Sequence, residues 1–291
     1  MPGPTRPTLR RIELGYELRR LRERIGMSRE DAVKGLRPRL SDTKLLRIET
    51  GLHDLRSAEL LRQLLDRYEV TDPDTVDELL RVQREARSQD WWAGYRSVMR
   101  PGMPRFVGIE SAAVAAMAWH PMLIPGLLQT ETYARALHQL ARPVDEVTSE
   151  FGERNVELRM RRKAVRLLGD QPLALSVIVW EPALRYCPGD PEILVEQYAE
   201  IARLAALDHV TFQVLPQTTR GYITPYDLTV MDLGPVLPRV VQVDAGGTPS
   251  VTDRPRDVAH YTRMYESMTR SALPPEDTPR VLHDLTREIQ R

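Results

Sequence analysis

Apolar positions in the first part of the chain recur at helical spacing, in short blocks separated by caps. Leu14, Leu18, Leu21 and Ile25 form one stripe and predict a helix over residues 9–25, which Gly26 ends in a left-handed cap. Ser28-Arg29-Glu30-Asp31 supplies an N-cap with acidic residues in the first turn. The second helix it starts is short, with Ala32, Val33 and Leu36 inward and Gly35 and Pro38 closing it. Ser41 caps a third helix, with Leu45 and Ile48 inward and Gly51 as its stop. A fourth over 57–69 carries Leu60, Leu61, Leu64, Leu65 and Tyr68, and a fifth follows Asp72-Pro73 with Val76, Leu79, Leu80 and Val82. Five short helices in succession predict a compact all-α domain.

The pattern then changes. Residues 88–105 hold Trp91, Trp92 and Tyr95 close together, followed by Met99-Arg100-Pro101-Gly102-Met103-Pro104, which breaks a helix. This stretch reads as a joint whose aromatics dock the two domains or line a ligand site. Beyond it, helical patterns fit 106–118, 130–141, 145–168, 190–207, 255–271 and 277–290. Thr130 is a further N-cap. Runs rich in β-branched residues predict strands at 173–180, 209–215, 226–233 and 239–244. The expected architecture is an all-α N-terminal domain of five helices followed by a larger α+β domain with a small, mostly antiparallel sheet. The expected boundaries are a flexible arm at 1–11, a helical domain at 12–88, an aromatic and proline-rich linker at 89–105, and the α+β domain at 106–291.

Charge refines this division. The net charge is zero over 291 residues, yet residues 1–70 carry 16 Lys plus Arg against 11 Asp plus Glu, so the remainder is acidic by the same margin. A basic module on an acidic body suits nucleic-acid binding by the first part alone. The apolar runs are too short to span a bilayer, and the N-terminus has no apolar signal core, so a cytoplasmic protein is expected. One cysteine, Cys187, leaves no disulfide framework and no multi-cysteine metal site.

The second and third helices, with the tight joint between them, have the layout of a helix-turn-helix, in which the later helix lies in the major groove. Its outward residues are Ser41, Asp42, Thr43, Lys44 and Arg47. Lys44 and Arg47 can neutralise phosphates or bond guanine O6 and N7, and Thr43 can bond a base edge or a phosphate. Ser41 and Thr43 can equally serve as caps. Arg29 and Arg39 add candidate phosphate contacts.

These residues carry a resemblance. Leu14-Gly15, Leu18-Arg19-Arg20-Leu21-Arg22, Met27-Ser28-Arg29-Glu30, Ser41-Asp42-Thr43-Lys44 and Arg47-Ile48-Glu49-Thr50-Gly51 resemble Xre/Cro-type helix-turn-helix regulators. Tyr68-x-Val70-Thr71-Asp72, Arg84-Glu85-Ala86-Arg87, Trp91-Trp92 with Tyr95, Leu123 to Arg135, Arg154-x-x-x-x-Arg159-x-x-Arg162 and Val210 to Pro216 extend the similarity to an actinobacterial subgroup with an uncharacterised, WhiJ-like C-terminal domain. The resemblance implies a sequence-specific transcriptional regulator that binds double-stranded DNA as a homodimer. It also implies a small partner protein in an antitoxin-like arrangement, or a small effector. Gln129, Tyr133, Arg159 and Glu181, together with Trp91, Trp92 and Tyr95, are the candidate effector or partner contacts.

Three departures bear on DNA reading. Arg29 and Asp42 stand where such regulators commonly carry glutamine, and a carboxylate at Asp42 repels phosphate. The turn Arg37-Pro38-Arg39-Leu40 is about two residues longer than usual, and Leu46 replaces a common serine. A scaffold for protein partners, with weak or no DNA binding, is therefore the competing expectation. An enzyme is not expected. His120, His138, His209, His260 and His283 are scattered, Gly246-Gly247 reads as a hairpin turn, and nothing calls for a metal or cofactor.

Overall fold

The computed structural model describes residues 7–87, 91–235, 237–244 and 249–291. Two compact units emerge. One comprises Met1–Ala93, Pro104–Ala113 and Leu233–Leu237. The other comprises Gly94–Met103, Val114–Asp232 and Pro238–Arg291.

The first unit contains α1 (Pro7–Arg24), α2 (Arg29–Val33), α3 (Asp42–Glu49), α4 (Ala58–Arg67) and α5 (Pro73–Glu85), with α6 (Met103–Ala112) lying almost entirely in its 104–113 piece. Four N-caps sit at the positions that end the orphan amides of each helix. Ser28 accepts from Asp31 N–H, Ser41 from Lys44, Ser57 from Leu60 and Asp72 from Thr75. Helical spacing places Leu14, Leu18, Leu21, Leu45, Ile48, Leu61, Leu64, Leu65 and Tyr68 in one core. Gly15 lets α1 and α3 close on each other, because a Cβ there would stand 2.2 Å from the Ile48 carbonyl oxygen. The first helix starts at Pro7, two residues before the expected start at residue 9 and inside the stretch 1–11 expected as an arm; Arg10 pairs with Glu13 and Glu85 at 2.6 and 2.7 Å. Residues 1–6 of the expected arm lie outside the described residues.

The second unit is built on six strands: β1 (Ala115–His120), β2 (Ala174–Trp180), β3 (Val210–Leu215), β4 (Asp227–Asp232), β5 (Val240–Asp244) and β6 (Pro249–Thr252). Their order is β3-β2-β1-β4-β5-β6. The β3-β2-β1 half is parallel and the β1-β4-β5-β6 half antiparallel. Helices α7 (Glu131–Asp145) and α8 (Ser149–Arg166) connect β1 to β2, and α9 (Glu181–Arg185) and α10 (Glu192–Ala205) connect β2 to β3. Two final helices, α11 (Pro255–Ser271) and α12 (Thr278–Ile289), follow the sheet. On one face Trp119, Ile178 and Leu228 stand in register and pack with Met264, Tyr265 and Met268 of α11.

The small, mostly antiparallel sheet expected from sequence is thus replaced by a larger mixed one. The difference comes chiefly from residues 113–120. Their alanines favour a helix locally, and the expected 106–118 helix follows from that. The helix stops at Ala112, and the next residues form the central strand, with Ala116, Ala118 and Trp119 buried. Small side chains there fit a strand covered on both faces, and tertiary packing overrides propensity. The expected hairpin at Gly246-Gly247 lies outside the described residues.

Candidate functional site

The helix-turn-helix is α2, a turn and α3. The turn is locked by α4. Gln63 accepts from Arg37 N–H at 3.2 Å and donates to the Arg37 carbonyl at 2.7 Å. Arg67 Nη1 donates to the carbonyls of Asp31, Ala32 and Lys34 at 3.0, 3.1 and 2.7 Å, satisfying the open end of α2. Leu36 and Leu40 anchor the turn in the core. The lengthened turn is therefore a fixed element, held by two residues of α4 that lie off its leucine stripe.

A second clamp fixes the far end of α3. Arg22 forks onto Glu49, Nε to Oε1 at 2.7 Å and Nη2 to Oε2 at 2.9 Å, and its Nη1 donates to the Met27 carbonyl at 2.8 Å. Both side chains are nearly solvent-free, 6% and 1% exposed. The Glu49 carboxylate raises the guanidinium pKa further. The sequence offered one signal for this pair: both charges fall beside core positions, Arg22 after Leu21 and Glu49 after Ile48.

The outer face of α3 presents Ser41, Asp42, Thr43, Lys44, Leu46 and Arg47, all exposed. Ser41 is occupied as the cap, and Thr43 Oγ1 donates to Asp42 Oδ1 at 3.3 Å. Asp42 opens the helix, where a carboxylate favours the positive end of the dipole. Arg29, Arg39, Lys44 and Arg47 are exposed, and their side chains form no hydrogen bond or ion pair with another described residue. Elsewhere in this unit many arginines are paired, as Arg20 is with Glu17 and Arg81 with Glu78 and Glu85. The four proposed contact cations are thus left to solvent or to a ligand.

The candidate effector residues divide. Trp92 is buried and Trp91 half-buried in the first unit. Tyr95 belongs to the second, where its hydroxyl donates to Glu157 at 2.8 Å and its ring lies 4.7 Å under the Arg154 guanidinium. Glu181 is committed structurally, accepting from Gln217 N–H at 3.0 Å and from Arg185 at 2.9 Å. Cys187 lies in a loop, with its thiol on the Gly189 carbonyl.

Gln129, Tyr133 and Arg159, by contrast, come together. The loop after β1 is fixed by two buried amides. Gln197 of α10 accepts from Thr130 N–H and donates to the Leu128 carbonyl, both at 2.8 Å, and Gln129 donates to the Ile124 carbonyl at 2.6 Å. Arg159 of α8 reaches Gln129 Oε1 at 2.5 Å. Tyr133 is fully buried.

Two known domains match parts of the chain. Residues 13–79 match a helix-turn-helix domain. Residues 103–284, more than half of the chain, match a domain of unknown function, DUF5753. The chain belongs to the DUF5753 family. No curated protein and no solved structure matches it. The family domain begins at α6 and runs into α12, so the Gln129–Arg159 cluster lies inside it and the α3 face lies inside the helix-turn-helix match.

Proposed function

We propose that the chain is a sequence-specific DNA-binding transcriptional regulator of the Xre/Cro type. It acts as a dimer, and its DUF5753 domain takes a small effector or a partner protein. One observation carries the reading: the exposed α3 face within a matched helix-turn-helix domain, where the Lys44 and Arg47 side chains pair with no other described residue. Lys44 and Arg47 contact phosphate or guanine, Thr43 a base edge, and Arg29 and Arg39 the flanking backbone.

The test is a gel shift with the DNA upstream of the chain's own gene, using wild type, Lys44→Ala, Arg47→Ala and the double variant. A phosphate contact weakens all sequences alike and lowers the salt slope by about 1, whereas a base contact relaxes specificity by roughly 1–3 kcal/mol at one position. Undiminished binding by the double variant removes α3 as the reading helix.

Asp42 and Leu46 favour a second reading, an antitoxin-like or scaffold module. Both are exposed on the same helix face, Leu46 at 40%, and an acid beside an apolar side chain suits a protein surface better than phosphate. Capture of a small protein that Leu46→Ser and Asp42→Gln abolish, with no salt-sensitive DNA affinity, selects this reading.

A further inference from the structure

The turn between α2 and α3 carries cations that its own fold does not use. Leu36 and Leu40 are buried, at 5% and 2% exposure, and pin the stretch to the core. Between them Gln63 of α4 holds both main-chain groups of Arg37, and just before them Arg67 takes the carbonyl of Lys34. The main chain is thus fixed from the α4 side, while the side chains of Lys34, Arg37 and Arg39 are all exposed. None of the three side chains forms a hydrogen bond or ion pair with another described residue. Cations elsewhere in this unit have acids on them: Arg10 lies on Glu13 and Glu85, and Arg56 on Asp54.

The local charge leans the same way. Residues 29–47 hold six Lys plus Arg against three Asp plus Glu. One of those acids, Asp31, is already engaged by the Ser28 hydroxyl at 2.6 Å. A lone exposed arginine is simply solvated, but three cations within residues 34–39 on a clamped main chain make a fixed basic edge, which favours a polyanion. Position says which of its groups they meet. In a helix-turn-helix the first helix crosses the phosphate backbone and the second enters the major groove by its N-terminal end. The segment that joins them passes from backbone to groove edge, where phosphates are nearer than bases. Arg39 stands two residues before the Ser41 cap of α3, at most about 7 Å along the chain.

We propose that the lengthened turn is itself a backbone grip, in which Lys34 and Arg37, beside Arg39, take phosphates of double-stranded DNA along the edge of the groove that α3 enters. This deepens the DNA-binding reading and rests on it. It adds two contacts to those of α3, Arg29 and Arg39. Phosphates carry no sequence information, so the grip raises affinity for every duplex alike and leaves discrimination to α3. The α4 clamp is what makes it effective. An arginine on a loose loop gives up main-chain freedom when it binds, whereas here that ordering is complete before DNA arrives. The grip also offsets the repulsion between phosphate and the exposed carboxylate of Asp42 at the start of α3.

The experiment is fluorescence anisotropy of the full chain on two labelled duplexes over a range of salt: the DNA upstream of its own gene, and a scrambled duplex of the same length and composition. Wild type is compared with Lys34→Ala/Arg37→Ala and with the charge-keeping pair Lys34→Arg/Arg37→Lys, each checked for helicity by circular dichroism. A lost phosphate contact takes about 0.9 from the slope of log affinity against log salt, so the alanine pair is expected to lower it by about 1.8 on both duplexes. The advantage of wild type over that pair then shrinks about tenfold between roughly 50 and 200 mM salt. Preference for the upstream duplex stays at its wild-type ratio, and the charge-keeping pair keeps the wild-type slope. An unchanged slope in the alanine pair, or a loss confined to the upstream duplex, overturns the grip. So does a charge-keeping pair that falls as far as the alanine pair. If the alanine pair does not fold, Lys34→Gln and Arg37→Gln decide singly: each is expected to lower the slope by about 0.9, and a wild-type slope in both overturns the grip. Lys44→Ala/Arg47→Ala separates the grip from the reading it rests on. Lost binding in that variant, with a wild-type slope in the turn pair, removes the grip and leaves α3 as the reading helix. A lowered slope in the turn pair, with that variant unimpaired, keeps the grip and removes α3. A wild type with no salt-dependent binding to either duplex removes both.

Discussion

Replacing Glu49 by alanine tests whether the N-terminal domain depends on one buried ion pair. Glu49 gives both carboxylate oxygens to Arg22, at 2.7 and 2.9 Å, and the two side chains are 1% and 6% exposed. The alanine variant leaves a guanidinium in the core with one carbonyl, that of Met27, as its main remaining acceptor. Breaking such a pair from one side costs about 3–5 kcal/mol, roughly a fifth or more of the ~5–15 kcal/mol that holds a typical domain. For a domain of this size each 1 kcal/mol moves Tm by about 4–8 °C, so the transition should fall by about 12 °C or more. Scanning calorimetry of the full chain, with helical circular dichroism alongside, follows the first unit separately from the second. The double variant Arg22→Met/Glu49→Leu removes both charges at similar volume, and it should recover most of the loss. A loss below about 1 kcal/mol in Glu49→Ala, or a double variant no better than the single, refutes the argument.

Three further outcomes follow from the geometry. Gly15→Ala drives a methyl onto the Ile48 carbonyl and should cost about 3 kcal/mol or more in urea unfolding, since backbone must move to admit it. Arg67→Met strips the carbonyls of Asp31, Ala32 and Lys34 of their shared donor; operator affinity should fall although Arg67 belongs to α4, outside the reading helix, and unchanged affinity would show that the turn needs no clamp. His138 has a folded pKa of about 4 against an ordinary ~6.5, so the unfolded chain binds the extra proton first. Its contribution is complete above pH 6.5 and is lost as pH falls toward 4, about 1–2 kcal/mol after allowing for partial exposure; His138→Gln should flatten the wild-type pH dependence over that window.

The first unit was legible because its information is local. Helical stripes, serine and aspartate caps and glycine stops each act within a few residues, and α2, α3 and α5 begin at Ser28, Ser41 and Asp72 as that pattern predicts. The second unit was legible only in part. Strands β2 to β5 stand out by β-branched content, but β1 is alanine-rich and reads as helix until β2 and β4 pair with it on either side. Parallel pairing of β1 with β2 joins residues 59 positions apart, as Ala115 with Ala174, and nothing in local pattern encodes that. The exposed α3 cations could be placed from spacing alone. The clamps by Gln63 and Arg67, and the meeting of Gln129 with Arg159, depend on side chains crossing between helices, so only the structure brings them together.

The α4 clamp has a consequence for control. With Gln63 holding both main-chain groups of Arg37, and Arg67 holding the carbonyls of Asp31, Ala32 and Lys34, the end of α2 and the start of the turn are fixed on α4. A signal cannot move the end of α2 and the start of the turn off α4 without first breaking five bonds. In the dimer proposed above, a switch then works on the block as a whole, through the distance between the blocks of two copies or through masking of the face. Changing the spacer between half-sites is then the informative mutation in the operator, more than changing its bases.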